Sequence, residues 1–340
     1  MEKLIKNTKK SNSSQRIIVN RNYIIYMYLI VIAIIWVCFW LLADEERFTR
    51  NPTIKWFYHR KKDNKNGISI TIVPNIIHYI LLKEHFISFA HYISIISVIR
   101  NHKPDQIIIH CDCDELKGEY WERIQLERFD IKVRKIEIPD TIFGRKLNPK
   151  YKLWHASDIL RNEILRQFGG IYLDRDVYVV KSLDKFRSYE MTAGIEQDYY
   201  KKKLFGNMIQ IANKNARFLR KYYQSYQNYD PNQWYYNAGY LPTEIIKEDP
   251  KSINLIESEL GTNSYEVLPI LYLQNSKSWQ NRFFSFHFLM RNNSLQSTSW
   301  WYKYNQIQLT QYNETNIKQL NTTFGQMARF IFYNTTQFVS

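Results

Sequence analysis

Short apolar strands alternate with amphipathic helices between residues 76 and 138, and this alternation constrains the fold more than any other feature of the chain. The strand segments are rich in isoleucine, as buried strands of a parallel sheet are. Strands are predicted at 76–80, 106–110 and 131–138, and apolar residues at helical spacing predict helices at 86–100 and 120–129. This β-α-β-α-β order predicts an α/β fold with a doubly wound parallel sheet and a crevice at the carboxyl ends of its strands. Later segments predict helices near 216–226 and 242–248, with irregular structure toward the C-terminus.

The composition of the 340 residues is that of a globular protein. Hydrophobic residues make up 45% and charged residues 23%, which excludes a disordered or collagen-like chain. Three cysteines exclude a disulfide scaffold. Lys and Arg outnumber Asp and Glu by 47 to 32, but no nucleic-acid-binding motif accompanies this excess. We therefore expect no nucleic-acid partner.

The run Tyr23–Ala43 contains no charged residue in 21 positions. As a helix it spans about 31 Å, and the hydrocarbon core of a bilayer is about 30 Å thick. Aromatic residues concentrate toward its two ends, as they do at membrane interfaces. We predict a single transmembrane helix at 23–43. The alternatives are a buried core helix and a cleaved signal peptide, and the length of the run argues against the signal peptide.

The charges that flank this run predict its orientation. Six basic residues and Glu2 precede it, whereas three acidic residues follow at 44–46. Because basic flanks stay in the cytoplasm, we expect a cytoplasmic tail at 1–22, a stem at 44–70 and a luminal domain at 71–340. This is a type II, single-pass arrangement, and in a secretory pathway the far side is the lumen of the Golgi or endoplasmic reticulum.

Asn-x-Ser/Thr sequons agree with a luminal domain. Each is a potential acceptor for N-linked glycans. Their clustering in the last fifth of the chain predicts an exposed C-terminal region. They begin at Asn292, Asn313, Asn321 and Asn334.

The segment 154–184 holds the residues that carry chemistry. An apolar helical stripe ends at Gly169–Gly170, and the short strand Ile171–Leu173 follows. Asp174 and Asp176 come directly after that strand, so in an extended chain both carboxylates point to the same side. Such a dense negative site is costly unless a cation is present, and carboxylates with phosphate oxygens suit Mg²⁺ or Mn²⁺. The pattern predicts a metal that bridges these carboxylates to a nucleotide diphosphate.

Asp158 and Arg161 lie three residues apart on the preceding helix and share a face distinct from the apolar stripe. There they can present a carboxylate to sugar hydroxyls and a guanidinium to a sugar or phosphate. The alternative is a plain surface salt bridge, with Asp158 near the start of the helix. The combination with Gly169–Gly170 and the Asp-x-Asp pair favours the functional interpretation.

Ser157–Arg161 followed by Gly169–Val177 closely resembles the DXD sugar-binding region of glycosyltransferase family 32. The resemblance implies a GT-A fold, which is a Rossmann-like mixed and mainly parallel sheet flanked by helices. It also implies a nucleotide-sugar donor, a divalent metal that is usually Mn²⁺, and retention of anomeric configuration. The roles that it implies are Asp174 and Asp176 as catalytic and metal-binding residues, Asp158 and Arg161 as donor-sugar contacts, and Tyr172 as their support.

Three further candidates come from weaker parts of the resemblance. Val73–His78 is similar to the opening strand of the family, near the nucleotide base, and the adjoining Tyr79 is a donor-binding candidate. Trp234–Gly239 falls where related members have an acceptor-side loop, which makes Asn237 a donor-binding candidate. Many members have a histidine shortly before a Ser-Trp pair. His287 corresponds to it at a longer interval and is the candidate third metal ligand.

Cys111 and Cys113 follow the second strand, close to His110, Asp112 and Asp114. A structural zinc site needs about four ligands, and this set is not persuasive. We expect structural burial or a local disulfide instead.

These patterns predict a Golgi type II glycosyltransferase that moves a hexose from a UDP- or GDP-sugar, with Mn²⁺ or Mg²⁺, to a glycan, glycolipid or glycoprotein. A glycosidase is the second possibility and needs carboxyl groups about 5–10 Å apart, one of them with a raised pKa. Two carboxylates on one metal would both be ionised, which argues against it. The third possibility is a non-catalytic, membrane-anchored glycan-binding or scaffold protein on a degenerate transferase fold.

Overall fold

The computed structural model describes residues 70–127, 129–198, 200–289 and 312–339. The predicted tail, the predicted membrane helix at 23–43, nearly all of the predicted stem and Asn292 lie outside these ranges. Within these ranges, no helix combines the length and the apolar character that crossing a bilayer requires.

Strands and helices alternate through the first half of the described chain. The strands are β1 (Ile76–Leu81), β2 (Gln106–Cys111), β3 (Ile131–Lys135), β4 (Thr141–Ile142), β5 (Arg145–Lys146), β6 (Gly170–Leu173), β7 (Val177–Val179), β8 (Met191–Gln197), β9 (Lys203–Ala212), β10 (Asn254–Ile256) and β11 (Ser285–His287). The α-helices are α1 (Phe89–Asn101), α2 (Glu119–Leu126), α3 (Lys152–Phe168), α4 (Arg217–Ser225), α5 (Leu241–Glu248), α6 (Ser264–Tyr272), α7 (Trp279–Arg282), α8 (Glu314–Ile317) and α9 (Thr323–Tyr333).

The central sheet has seven strands in the order β10-β8-β9-β6-β1-β2-β3. β9 runs antiparallel to β8 and β6, and every other neighbouring pair in this sheet is parallel. In the register of the parallel part, Ile77 lies opposite Ile107 on one side and Ile171 on the other. The predicted mixed α/β fold with a mainly parallel sheet is confirmed.

Helices cover both faces of this sheet. Since side chains of a strand alternate between the two faces, each face has its own hydrophobic core. Ile171 and Leu173 of β6 lie in a hydrophobic core with α1, α6 and α9. Tyr172, between them, lies in a second core with α3 and α4. The alternation therefore sends Tyr172 to the face that α3 covers.

The double glycine at the end of α3 allows β6 to enter the sheet. Gly169 and Gly170 have φ angles of 65° and 110°, which residues with a Cβ rarely adopt. A Cβ on Gly170 would also lie only 2.7 Å from the carbonyl oxygen of Ile76. The predicted helix end is confirmed, and the close approach to β1 is the reason for the glycine.

Two predictions about regular structure are wrong. The third strand ends at Lys135 rather than at 138. The C-terminal region, predicted to be irregular, contains α6 and α9. α6 forms although Pro269 lies inside it. In α9 the buried Phe324, Met327, Ala328 and Ile331 follow helical spacing.

Cys111 and Cys113 form a disulfide and are both buried. Of the two predicted alternatives, structural burial and a local disulfide, the structure therefore has the disulfide. The three described sequon asparagines, Asn313, Asn321 and Asn334, are exposed, as predicted.

Candidate active site

Asp174 and Asp176 lie on the turn that joins β6 to β7, at the carboxyl end of β6. The amide of Asp174 donates a hydrogen bond to the carbonyl of Met208 at 2.9 Å, which ties the turn to β9. The amide of Val177 donates back to the carbonyl of Asp174 at 3.0 Å. The chain is not extended at Asp174-Arg175-Asp176, and the turn places ligand atoms of the two carboxylates within 4.8 Å of each other.

His287 reaches these carboxylates from far along the chain. It lies on β11, which pairs antiparallel with β7 so that His287 is opposite Val177. Its Nε2 is 3.1 Å from Asp176 Oδ1 and 3.7 Å from Asp174 Oδ2. One ligand atom from each of the three residues lies within 4.8 Å of the others. We call Asp174, Asp176 and His287 the acidic cluster.

The acidic cluster fits a divalent metal. Burial by itself lowers the pKa of His287, but the charges of Asp176 and Asp174 more than offset this, so the pKa is raised above 6.5. The imidazole Nε2 thus faces the carboxylates in place of a cation, while its buried Nδ1 has no hydrogen-bond partner in the described structure. Two carboxylates and one imidazole are ligands that Mn²⁺ accepts, and carboxylates with water also suit Mg²⁺.

Arg161 connects the acidic cluster to α3. Its Nη1 lies 3.4 Å from Asp174 Oδ1 and its Nη2 lies 3.2 Å from Asp158 Oδ1. It also donates to the carbonyl of Asn207 at 2.8 Å. Arg161 and Asp158 are only 5% and 8% exposed. The alternative of a surface salt bridge is therefore wrong, and the pair lies in the second and third turns of α3.

The surroundings stabilise the charged form of Arg161 more than that of Asp158. Burial alone would lower the pKa of Arg161, but Tyr172 and the two carboxylates raise it, so the guanidinium stays charged. Burial raises the pKa of Asp158 from 3.8 to about 6, although Arg161 and a hydrogen bond from Asn207 act against this. Keeping Asp158 ionised at neutral pH therefore costs stability.

Tyr172 contacts the acidic cluster. Its hydroxyl donates to Asp174 Oδ1 at 2.6 Å, and the guanidinium of Arg161 stacks 4.5 Å from the centre of its ring. Burial raises the pKa of Tyr172 well above 10, so its hydroxyl stays a hydrogen-bond donor. Asp174 is thereby held between a phenol and a guanidinium.

A cavity of about 270 Å³ lies at the carboxyl end of β6. Six of the predicted site residues line it: Asp158, Arg161, Tyr172, Asp174, Asp176 and His287. Tyr79 and Asn237 are not among the lining residues of this cavity in the described structure. Tyr79 points to the opposite face of β1 and hydrogen-bonds Ser94 at 3.2 Å. Asn237 is buried and accepts a hydrogen bond from the amide of Asp230.

Several polar lining residues were not predicted, among them Asn207, Glu196 and Glu84. Asn207 donates to Asp158 Oδ1 at 2.7 Å. Glu196, 8% exposed, accepts a hydrogen bond from the hydroxyl of Tyr235 at 2.7 Å. Glu84 pairs with Arg175 at the edge of the same cavity. The signal in the sequence was a pair of amides, Asn207 and Gln210, that interrupt the apolar run of β9.

A protein-family model matches the part of the chain that carries the Asp-x-Asp turn. Residues 91–193 match the family described as "Glycosyltransferase sugar-binding region containing DXD motif". This match confirms the predicted resemblance of the segment to that family. The matched region includes Asp158, Arg161 and the Asp-x-Asp turn.

Two relatives share 28% identity with the chain. "Glucan organizing enzyme 1" of Cryptococcus neoformans var. grubii does so over 199 residues, which are 54% of this chain and 52% of the relative. An uncharacterized protein of Arabidopsis thaliana does so over 120 residues, which are 35% of this chain and 18% of that protein. This chain thus spans about half of the fungal relative and a smaller part of the plant one. A solved structure, "PaToxG Glycosyltransferase", is similar at 22% identity and a TM-score of 0.37, over 61% of this chain and 80% of that one.

Proposed function

We propose that this chain transfers a hexose from a UDP- or GDP-sugar to a hydroxyl of a glycan, lipid or protein, on a GT-A fold and with Mn²⁺ or Mg²⁺. The observation that carries the proposal is the acidic cluster. Its ligand atoms lie within 4.8 Å of one another and share one cavity with Asp158 and Arg161. The fungal relative's name refers to glucan, which favours a carbohydrate among the three acceptor classes.

The residues around the cavity position a nucleotide sugar. Asp174, Asp176 and His287 would hold a divalent cation, which would supply positive charge to stabilise the leaving diphosphate. Arg161 and Tyr172 hold the Asp174 carboxylate in one orientation, so little reorganisation is needed during the reaction. Asp158 accepts hydrogen bonds from sugar hydroxyls, and Asn207 orients its carboxylate.

The transfer that we propose retains the anomeric configuration and needs no separate general base. The bond between the anomeric carbon and the diphosphate oxygen breaks, and a bond from the acceptor oxygen to the same carbon forms. The proton of the acceptor hydroxyl passes to the leaving phosphate. Proton NMR of the first product formed tests this, because an inverted anomeric signal would contradict retention.

The glycosidase possibility is the weaker one. The ligand atoms of the acidic cluster lie within 4.8 Å, whereas glycosidase carboxyl groups stand about 5–10 Å apart on either side of the bond. The scaffold possibility leaves unexplained why a buried carboxylate with a raised pKa, Asp158, is kept in the cavity at a cost in stability.

For the membrane arrangement we propose a type II Golgi protein with its transmembrane helix at 23–43 and residues 71–340 in the lumen. The uncharged run and its flanking charges support this, and so do the exposed sequons at Asn313, Asn321 and Asn334. The test is the gel mobility of the chain expressed in eukaryotic cells. Substitution of these asparagines by Gln should remove an endoglycosidase-sensitive shift, and an unshifted wild-type chain would contradict a luminal domain.

The experiment for the activity uses the purified full-length chain in detergent micelles. Release of UDP or GDP is measured across a panel of UDP- and GDP-hexoses, with Mn²⁺, with Mg²⁺ and with a chelator. We expect metal-dependent turnover of one donor. The Asp176→Asn variant should lose it by about 10³-fold, because several kcal/mol of charge stabilisation disappear.

Asp114→Asn is the matched control, since Asp114 is exposed and its one ion pair among the described residues is with Lys135. It should leave turnover unchanged. Equal activity of both variants, or turnover that a chelator does not affect, would contradict the proposed role of the acidic cluster. Metal-dependent binding of UDP or GDP by calorimetry without turnover of any donor would instead favour the scaffold.

A further inference from the structure

Two indole rings lie where the cavity meets solvent, and the proposed function assigns them no role. Trp154 belongs to the first turn of α3 and Trp234 to the segment before the short π-helix at Tyr236–Tyr240. Their ring centroids are 5.0 Å apart, with the planes nearly perpendicular. Both line the cavity, and Trp154 is 38% exposed. An exposed tryptophan on the wall of a polar cavity indicates a binding surface rather than core packing.

Along one face of α3, the residues that line the cavity become progressively more buried. Residues 154, 158 and 161 recur at helical spacing and therefore share one face of the helix. Along that face the side chains become less exposed, from 38% at Trp154 to 8% at Asp158 and 5% at Arg161. Trp154 and Arg161 are separated by about 10 Å of helix. That distance leaves room for one sugar ring beside Asp158 and Arg161 and a second ring at Trp154.

The indole pair is held in place before any ligand binds. His155, which is buried, lies 3.2 Å from the carbonyl of Trp234 through its Nε2 and 2.6 Å from the hydroxyl of Tyr229 through its Nδ1. A carbonyl can only accept, so Nε2 carries the proton and Nδ1 accepts from Tyr229. This chain of hydrogen bonds ties the Trp234 segment to α3, and a fixed aromatic surface loses little entropy on binding.

The surroundings of the pair match a sugar ring rather than an acyl chain. The same wall continues from Trp234 to Tyr235, whose hydroxyl donates to the carboxylate of Glu196. A flat aromatic surface next to a charged hydrogen-bonding wall complements a hexose, which has apolar C–H faces and a polar rim. An acyl chain would leave that polar wall buried without its water.

We infer that Trp154 and Trp234 form the acceptor subsite, and that the acceptor is a saccharide whose terminal hexose stacks on the indoles. The inference rests on the proposed function, because it places the donor sugar beside Asp158 and Arg161. The acceptor hydroxyl loses its proton to the leaving diphosphate as its oxygen bonds to the anomeric carbon. The Trp pair is thus a specificity-determining element for the acceptor.

The test separates donor hydrolysis from transfer. Nucleotide release by the full-length chain is measured with the active donor alone, where water is the acceptor. It is measured again with p-nitrophenyl glycosides of glucose, galactose and mannose in both anomeric forms. We expect one glycoside to accelerate release by wild type. Trp154→Ala should raise the KM for that glycoside about tenfold, with a smaller change in the rate of donor hydrolysis, and Trp154→Phe should recover most of the affinity.

Trp121→Ala is the matched control, because Trp121 lies on α2, outside the cavity lining. It should change neither rate. The inference is overturned if Trp154→Ala lowers hydrolysis and transfer by the same factor, or if its KM for the glycoside equals that of wild type. It is also overturned if wild type hydrolyses its donor but no glycoside accelerates release. A wild-type chain that turns over no donor at all would overturn the proposed function itself, and the subsite with it.

Discussion

Two buried polar clusters on neighbouring strands have opposite electrostatic character. The guanidinium of Arg161 lies within 4 Å of the carboxylates of Asp158 and Asp174 and stays charged, and His287 lies 3.1 Å from the carboxylate of Asp176. The histidine pair, His78 on β1 and His110 on β2, is uncharged: burial lowers the pKa of His78 to about 4 and that of His110 to about 3. Burial alone neutralises a titratable group, whereas burial beside a counter-charge preserves it.

The hydrogen bonds of the histidine pair fit its neutral state. His78 Nε2 lies 3.0 Å from the carbonyl of Gly169, and His78 Nδ1 lies 3.0 Å from His110 Nε2. The carbonyl can only accept, so His78 donates from Nε2 and accepts from His110. His110 Nδ1 then remains an acceptor without a partner in the described structure. This pair holds α3, β1 and β2 together, whereas the acidic cluster is open to a cavity and to chemistry.

The largest expected effect comes from removing the charge of Arg161. Arg161→Gln leaves the carboxylates of Asp158 and Asp174 without their buried cation. We expect the free energy of unfolding, measured with urea, to fall by about 3–5 kcal/mol. Lys135→Gln removes an exposed ion pair with Asp114, and its effect on the free energy of unfolding should be far smaller. Equal costs for the two variants would mean that the Arg161 environment is no less polar than the surface.

The next prediction compares one histidine from each cluster. His287→Ala removes a proposed metal ligand, so we expect the Mn²⁺ affinity, measured by calorimetry, to fall by about 100-fold or more. His110→Ala should lower the stability but leave the Mn²⁺ affinity of the folded protein unchanged, because its only described side-chain hydrogen bond is to His78. If His110→Ala weakened Mn²⁺ binding as much as His287→Ala, the distinction between the clusters would be lost.

The smallest expected effect is the loss of stability at acidic pH. Below pH 6.5 the unfolded chain protonates His78 and His110 while the folded chain does not, so stability falls as the pH falls toward about 4. Burial also lowers the pKa values of His91 to about 3 and His102 to about 4, which adds to this fall. Replacing His110 by Gln should reduce the slope by about 1 kcal/mol per pH unit, measured by urea unfolding at several pH values.

Asp158 supplies the control of opposite sign. Its pKa is raised from 3.8 to about 6, so the folded chain takes up this proton first and gains stability as the pH falls through 6. His287, whose pKa is also raised, acts in the same sense. Asp158→Asn should therefore make the acid loss of stability steeper between pH 6 and 4. A stability that does not change between pH 7 and 4.5, or a shallower slope in Asp158→Asn, would contradict these assignments.

The local structure around α3 and β6 could be predicted from the sequence, because each pattern depends on residues that are close together in the chain. The helix that ends at Gly169, the strand that ends at Leu173 and the carboxylates after it follow from spacing and from glycine conformation. The resemblance to a known family indicated His287 as a candidate metal ligand. It also suggested Tyr79, but the alternation of side chains along β1 points that ring to the face opposite the cavity.

The sequence by itself determined the order of strands and helices, the site of the acidic pair and the helix face that carries Asp158 and Arg161. These depend on periodicity and backbone conformation over a few residues. Only the tertiary structure decided that β11 brings His287 to Asp176, that Asn207 of β9 holds Asp158, and that Trp234 meets Trp154. Such contacts join residues 49 to 111 positions apart in the chain, and they form only when the sheet has closed and its two faces have been covered.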